Sequence, residues 1–233
     1  MKKILLPLLL LVGVSLSAGH ITEMNKKAFM HVKKRADSGH ANSQFALGGM
    51  YFQGIVTEKD HERAAELYKK AAEQGHIKAI FNLAVMYHKG DGVEEDQEKS
   101  IELFEEAAEE GDYKSVLHLA DMYYTGNGVE QDYKKAFEWY KQAADAGYPI
   151  AQSKVGTMYK RGLGVEKNPD EARRYLEKSA LQSCGEAQFE LGKMYLEGDG
   201  VDVDEKEAES LLKDAYLNGK KEAKEILDEK NWH

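Results

Sequence analysis

Apolar residues recur along most of the chain at the i, i+3, i+4 spacing of an amphipathic helix, and this helical pattern itself repeats every 36 residues. Tyr51, Tyr87, Tyr123, Tyr159 and Tyr195 share one register, as do Met50, Met86, Met122, Met158 and Met194. Leu47, Leu83, Leu119, Val155 and Leu191 stand four residues before the tyrosines. These rows form the apolar face of a first helix in each copy, and the same logic assigns all five tyrosines to the core. Truncating one to alanine is then expected to cost about 3–5 kcal/mol. Beside that face a small residue recurs as Gly48, Ala84, Ala120, Gly156 and Gly192. Glycine is about 1 kcal/mol worse than alanine in a helix interior, so its recurrence predicts a neighbouring helix passing too close for a side chain.

Punctuation follows the same period. The first helix should stop at Gly54, Gly90, Gly126, Gly162 and Gly198, each suited to the left-handed C′ position. A Gly-x-Gly-Val link follows in four copies, from Gly90, Gly126, Gly162 and Gly198, whereas the first copy has Ile55-Val56-Thr57 and should loop differently. A second helix should begin behind the N-caps Asp60, Asp96, Asp132, Asn168 and Asp204, with Glu171 and Glu207 placed to complete capping boxes. Its body carries Ala64, Ser100, Ala136, Ala172 and Ala208 toward the first helix, then the pairs Leu67-Tyr68, Leu103-Phe104, Trp139-Tyr140, Tyr175-Leu176 and Leu211-Leu212. Gly75, Gly111, Gly147 and Gly219 end it, while Ser183-Cys184-Gly185 shifts the turn glycine in the fourth copy.

The predicted fold is all-α, an α/α superhelical solenoid of five helix–loop–helix repeats over residues 40–75, 76–111, 112–147, 148–183 and 184–219. Half-repeats at residues 18–39 and 220–233 read as capping helices. Residues 1–17 combine two lysines, an apolar run from Ile4 to Leu16 and small residues up to Ala18, the organisation of a secretory signal peptide. No cysteine follows that run, so a lipid-anchored form is not expected. These features predict a periplasmic or secreted protein without membrane insertion after cleavage.

Charge narrows the partners. Cleavage removes Lys2 and Lys3 and no acid, leaving 30 basic against 41 acidic residues and a formal charge of −11. Such a surface repels nucleic acid and anionic lipid, apart from a basic stretch at Lys26, Lys27, Lys33, Lys34 and Arg35. The second copy, His76 to Gly111, is the acidic extreme, with ten acids against Lys78, Lys89 and Lys99. Cys184 has no internal disulfide partner; it is either a small packed residue or the link of a dimer.

The pattern from Ala187 through Leu191-Gly192, Tyr195, Gly198, Gly200-Val201 and Asp204 to Ala208 resembles the Sel-one-like repeat, a tetratricopeptide relative with a longer inter-helix loop. The resemblance implies an adaptor or scaffold that binds a protein or peptide. Some cysteine-rich bacterial relatives are penicillin-binding or weakly β-lactam-hydrolysing, which is the alternative function; the chain lacks their cysteines.

Catalytic motifs are sparse. Ser210-Leu211-Leu212-Lys213 matches Ser-x-x-Lys by letter, but its leucines occupy core slots and no companion motif is present. The glycine links lack the preceding strand and following Lys-Ser/Thr of a phosphate loop. Asp199, Asp202 and Asp204 miss the calcium-loop spacing, so neither metal nor cofactor is expected. Recognition is left to the slots that vary on the first helix, which in tetratricopeptide-type folds lines a concave groove. One row is Phe52, His88, Tyr124, Lys160 and Leu196, none demanded by the repeat. A second is Phe45, Phe81, Leu117, Ser153 and Phe189, which is either groove or inter-repeat core. A third is Gly49, Val85, Asp121, Thr157 and Lys193. Aromatic anchors in the first half and the cations Lys154, Lys160, Arg161 and Lys193 in the second suit a protein ligand.

Overall fold

In a computed structural model, residues 18–232 are described; the segment read as a signal peptide lies outside them. The described residues are helical and contain no strand. They divide into two compact units, before and after the Glu95–Asp96 junction. In the first, α1 (Ala18–Asp37), α2 (Ala41–Gln53), α3 (His61–Ala72) and α4 (Ile77–Lys89) each pack on the next. In the second, the same holds for α5 (Gln97–Glu109), α6 (Tyr113–Thr125), α7 (Tyr133–Asp145), α8 (Pro149–Arg161), α9 (Pro169–Ala180), α10 (Gly185–Glu197), α11 (Glu205–Leu217) and α12 (Ala223–Glu229). There α8 also touches α10, so the first helices of the last two repeats are neighbours.

The helix pairs are closely packed. A Cβ on Gly48 would lie 2.9 Å from the Tyr68 ring, and one on Gly156 would lie 2.7 Å from Leu176 Cγ and 3.0 Å from the Ala172 carbonyl. Opposite them Ala64, Ser100, Ala136, Ala172 and Ala208 are fully buried. The recurrent small residues therefore mark the line along which two helices meet.

Each second helix starts from an extended Asp or Asn whose side chain accepts from a backbone N–H two or three residues on. The reciprocal half of the expected capping box is absent at Asn168. Glu171 instead pairs with Arg174 at 2.6 Å, and the Asn168 N–H donates to the Tyr159 carbonyl at 3.0 Å. The N–H groups of Asp60, Asp132 and Asp204 likewise reach the carbonyls of Tyr51, Tyr123 and Tyr195. One residue thus caps the second helix with its side chain and closes the loop with its backbone.

The second glycine of the link has its own task. Gly92 has φ +73°, and a Cβ there would lie 2.7 Å from the Glu62 N and closer still to the His61 carbonyl, so the loop is seated on the start of α3. Gly164 sits in the same way on Tyr133 and Lys134 at the start of α7, and Gly200 on Pro169 at the start of α9. In the first copy Val56 holds this register with φ +69°, a costly conformation for a β-branched residue.

Two sequence expectations need correction. The turn after α9 is not shifted: Ser183 takes the left-handed conformation at φ +61° in the slot that glycine fills elsewhere. Gly185 is instead the first residue of α10, where a Cβ would press on the Asn218 carbonyl at 2.9 Å. Nor are all five recurrent tyrosines core residues. Tyr51 is buried, but Tyr87, Tyr123, Tyr159 and Tyr195 are half-buried. Tyr159 and Tyr195 pack on the edge of the Leu176–Leu191–Met194 cluster, and Lys135 covers the Tyr123 ring at 5.0 Å. The deeply buried tyrosines are Tyr68, Tyr140 and Tyr175 of the second helices.

Side-chain amides tie the two helices of three copies together and link each copy to the preceding helix. Gln74 donates to Gln44, Gln182 to Gln152 and Asn218 to Gln188, at 2.7–2.9 Å. The receiving glutamines donate in turn to the Ala36, Ala144 and Ala180 carbonyls of the preceding helix.

Candidate functional site

On the first helices the recurrent slots Leu47, Leu83, Leu119, Val155 and Leu191 are buried. The variable slots are mostly half-buried, and they differ in what they pack against.

In the first unit, Phe52 at the end of α2 stacks on His61 at 4.6 Å, and His61 Nδ1 lies 3.8 Å from the Asp91 carboxylate. Phe52 thereby steadies its own loop. Phe45 stacks on His76 at 4.5 Å and leans on Tyr68 at 5.7 Å, joining α2 and α3 to the start of α4. At Phe45, then, the alternative of inter-repeat packing holds. Phe81, Val85 and His88 are half-buried along α4.

In the second unit Asp121 is exposed on α6, but its carboxylate accepts the Tyr140 hydroxyl. Burial, reinforced by that carboxylate, holds the Tyr140 phenol well above its usual range. Asp121 is therefore a partner of the buried Tyr140 while remaining exposed on α6. Phe189 lies against the terminal cluster of Leu212, Ala215, Ala223 and Leu227, with Lys193 and Lys220 over its ring at 5.3 and 5.2 Å. Leu196 is half-buried on α10.

Tyr124 is different. Its ring meets Tyr133 and Tyr140 edge-on, at 5.3 and 6.2 Å, and Lys154 Nζ lies 5.4 Å above it. With Ser153, Lys154, Thr157, Met158, Arg161, Glu186 and Glu190 it lines a cleft of about 140 Å³ between α6, α8 and α10. At the inner edge Lys160 and Glu190 form an ion pair at 3.1 Å, their side chains only 11% and 6% exposed. Arg161 and Lys193 approach the same carboxylate at 3.9 and 3.8 Å.

Glu190, Glu186 and the part played by Ser153 were not singled out from the sequence. A signal existed in the varying row Ala46, Asn82, His118, Lys154 and Glu190. Asn82 hydrogen-bonds Tyr68, His118 stacks on Phe104 at 5.2 Å, and Lys154 lies 6.0 Å over Tyr140; each contacts the aromatic 14 positions earlier. For Glu190 that partner is Leu176, which offers no polar group or π face, and the carboxylate turns to Lys160 instead.

The remaining candidate chemistry is weak. Ser210 is exposed on α11, and Lys213 Nζ is 2.7 Å from Glu209. Asp199 faces Lys167 at 3.7 Å while Asp204 caps α11, and among the described residues no cluster of His, Cys, Asp or Glu could hold a metal ion. Among the same residues no helix is long and apolar enough to cross a membrane. Cys184 is half-buried at the N-cap of α10, packed on the Leu176–Leu191–Met194 cluster.

The Sel1 repeat model matches residues 41–76, 77–112, 115–148, 149–184 and 185–220. The chain is similar to the crystal structure of a Sel1 repeat protein from Oxalobacter formigenes, at 32% identity and a TM-score of 0.77, over 85% of this chain and 82% of that one. It is also similar to c5321, described as a protective antigen present in uropathogenic Escherichia coli strains and displaying an SLR fold. That match has 33% identity and a TM-score of 0.59, over 84% of this chain and 50% of that one. No curated protein matches the sequence.

Proposed function

Because the chain belongs to the Sel1 repeat family, whose fold is generally a non-enzymatic protein-interaction scaffold, we propose that it is an exported adaptor that holds a protein or peptide against its first helices. One observation supports this most directly. The variable slots Tyr124, Lys154 and Arg161 line an open cleft together with Glu186 and Glu190, and the repeat pattern does not dictate the residue at any of the three. An aromatic wall beside charged groups suits a peptide that offers both apolar and ionic anchors. The reading of residues 1–17 as a signal peptide supports the periplasm or the exterior as the place of action.

The test places a photo-crosslinking residue at His88 or Tyr124 on the first helices, and at Glu66 or Glu102 on second helices, in the full chain in its producing cell. Discrete adducts should form from positions 88 and 124 and be absent from 66 and 102. Adducts only from the second-helix positions would overturn the reading. Fractionation of the same cells should find the processed chain outside the cytoplasm, and a non-reducing gel reports whether a Cys184-linked dimer accompanies it.

A further inference from the structure

The cleft between α6, α8 and α10 contains two features that its role in packing leaves unexplained. The first is Ser153, which is 3% exposed and lines the cleft. A helical serine ordinarily donates to the carbonyl four residues back. Here that carbonyl, of Pro149, already accepts the Ser179 hydroxyl at 2.6 Å, and the Ser153 carbonyl accepts from Thr157 at 3.0 Å. Among the described residues the Ser153 hydroxyl, itself enclosed, has no hydrogen-bond partner, whereas buried polar atoms are nearly always paired.

The second is the charge arrangement. Lys160 is matched by Glu190 at 3.1 Å, with Lys193 alongside, and Glu186 is matched by Lys220 at 2.6 Å. Asp121 is engaged by the Tyr140 hydroxyl. At the mouth this leaves Lys154, whose ammonium rests on the Tyr124 and Tyr140 rings, and Arg161, only 3.9 Å from a carboxylate it shares with two lysines. Lys154 has no carboxylate among its close contacts. Two lightly compensated cations, a hydroxyl donor and an aromatic wall surround a volume of about 140 Å³.

We propose that this cleft binds a carboxylate of an acidic peptide segment, held by the Arg161 guanidinium and the Lys154 ammonium, with the enclosed Ser153 hydroxyl turning about its Cα–Cβ bond to donate to it and the Tyr124 ring against the neighbouring residue of the peptide. The inference rests on the reading of the first helices as a binding face and names the chemistry of the partner. Arginine presents parallel donors that fit a carboxylate in bidentate fashion. A monoanion suits two loosely held cations, while Glu190 and Glu186 close by disfavour a dianionic phosphate. The chain is acidic overall, so an acidic ligand is repelled from most of it; the basic stretch at Lys26, Lys27, Lys33, Lys34 and Arg35 is the competing site.

The experiment titrates the full chain with hexaglutamate while recording amide chemical shifts. Hexaglutamate amide and hexaglutamine with a free C-terminus serve as arms that separate side-chain from C-terminal carboxylates. Binding of either arm, with shifts centred on Ser153, Lys154 and Thr157, supports the proposal, and it should weaken as salt is raised. Lys154→Gln and Arg161→Gln should each reduce affinity roughly tenfold and Ser153→Ala roughly threefold, with melting temperatures unchanged. Absence of binding by every carboxylate probe, or shifts centred on Lys33 and Lys34 of α1, would overturn it, as would a phosphoserine peptide binding this cleft more tightly. Crosslinks from Tyr124 without hexaglutamate binding would sink this inference and leave the adaptor reading intact. Hexaglutamate binding in the cleft without any first-helix crosslink would do the reverse.

Discussion

Two glycines of one loop, Gly90 and Gly92, provide a controlled measure of how the repeats are indexed. Both have nearly the same positive φ, +69° and +73°. A Cβ on Gly90 would meet nothing nearer than Glu95 Cβ at 3.5 Å, an ordinary contact. One on Gly92 would lie inside contact distance of the His61 carbonyl carbon and oxygen, and 2.7 Å from Glu62 N. Alanine at either site incurs the left-handed cost of about 1–2 kcal/mol. Gly92→Ala adds a clash with backbone, which cannot rotate away, so the loop must lift or the first turn of α3 must open; overpacking of this kind costs about 1–3 kcal/mol more. At about 2–4 °C per kcal/mol for a chain of this size, Gly90→Ala should lower Tm by a few degrees and Gly92→Ala by about twice as much. Urea unfolding of both variants alongside Gly75→Ala, where a Cβ meets nothing within 4 Å, supplies the comparison. Amide exchange at His61, Glu62 and Arg63 should accelerate in Gly92→Ala alone. Equal losses at the two sites, or unchanged exchange at the start of α3, would refute the idea that the second glycine seats the loop.

Other outcomes follow from the same geometry. Val56→Gly and Ser183→Gly should each raise stability by roughly 1 kcal/mol, since both side chains now sit at positive φ, measurable as a higher denaturation midpoint. Tyr140→Ala should cost about 3–5 kcal/mol, and the half-buried Tyr87→Ala clearly less, by urea unfolding. The Asp145 carboxyl is held below its ordinary range chiefly by the Lys141 ammonium at 2.5 Å, against a modest opposing effect of burial and with help from the Tyr175 hydroxyl. Its contribution is therefore present above the ordinary carboxylate pKa and lost as pH falls through the lowered one. Asp145→Asn should flatten the acid limb of a stability–pH curve below about pH 4, and should also alter its alkaline limb, because the same carboxylate is the chief cause that holds the Lys141 ammonium above its ordinary range.

Local backbone rules were legible in the sequence because each depends on one residue type at one register. The left-handed stops at Gly54 through Gly198 and the caps at Asp60 through Asp204 follow from φ preference and side-chain reach. The close helix approach at Gly48 and Gly156 follows from the lack of a Cβ. Depth of burial was not legible in the same way. A tyrosine repeated at 36-residue spacing looks like core, yet Tyr123 turns one face to the interior and offers the other to Lys135. The site was harder still, because its members are linked by long spacings, within a copy and between copies, that helical periodicity does not reveal. Ser153 loses its ordinary acceptor to Ser179, 26 positions later, and Glu190 reaches back 30 positions to Lys160. The contact of Phe52 was hidden for a similar reason: the period does not require it, but His61 in the same copy gives it a stacking partner.

The seat that Gly92, Gly164 and Gly200 make on the preceding second helix has a bearing on how such chains diverge. The glycine rests on backbone at Gly92 and Gly164 and on the rigid Pro169 ring at Gly200, so the advance between these copies is gauged mainly by main-chain dimensions rather than by long, flexible side chains. A gauge of that kind does not drift when outward residues are exchanged. Substitution can therefore rewrite the lettering of a first helix, from phenylalanine to histidine to lysine, while the step between neighbouring copies within a unit stays fixed.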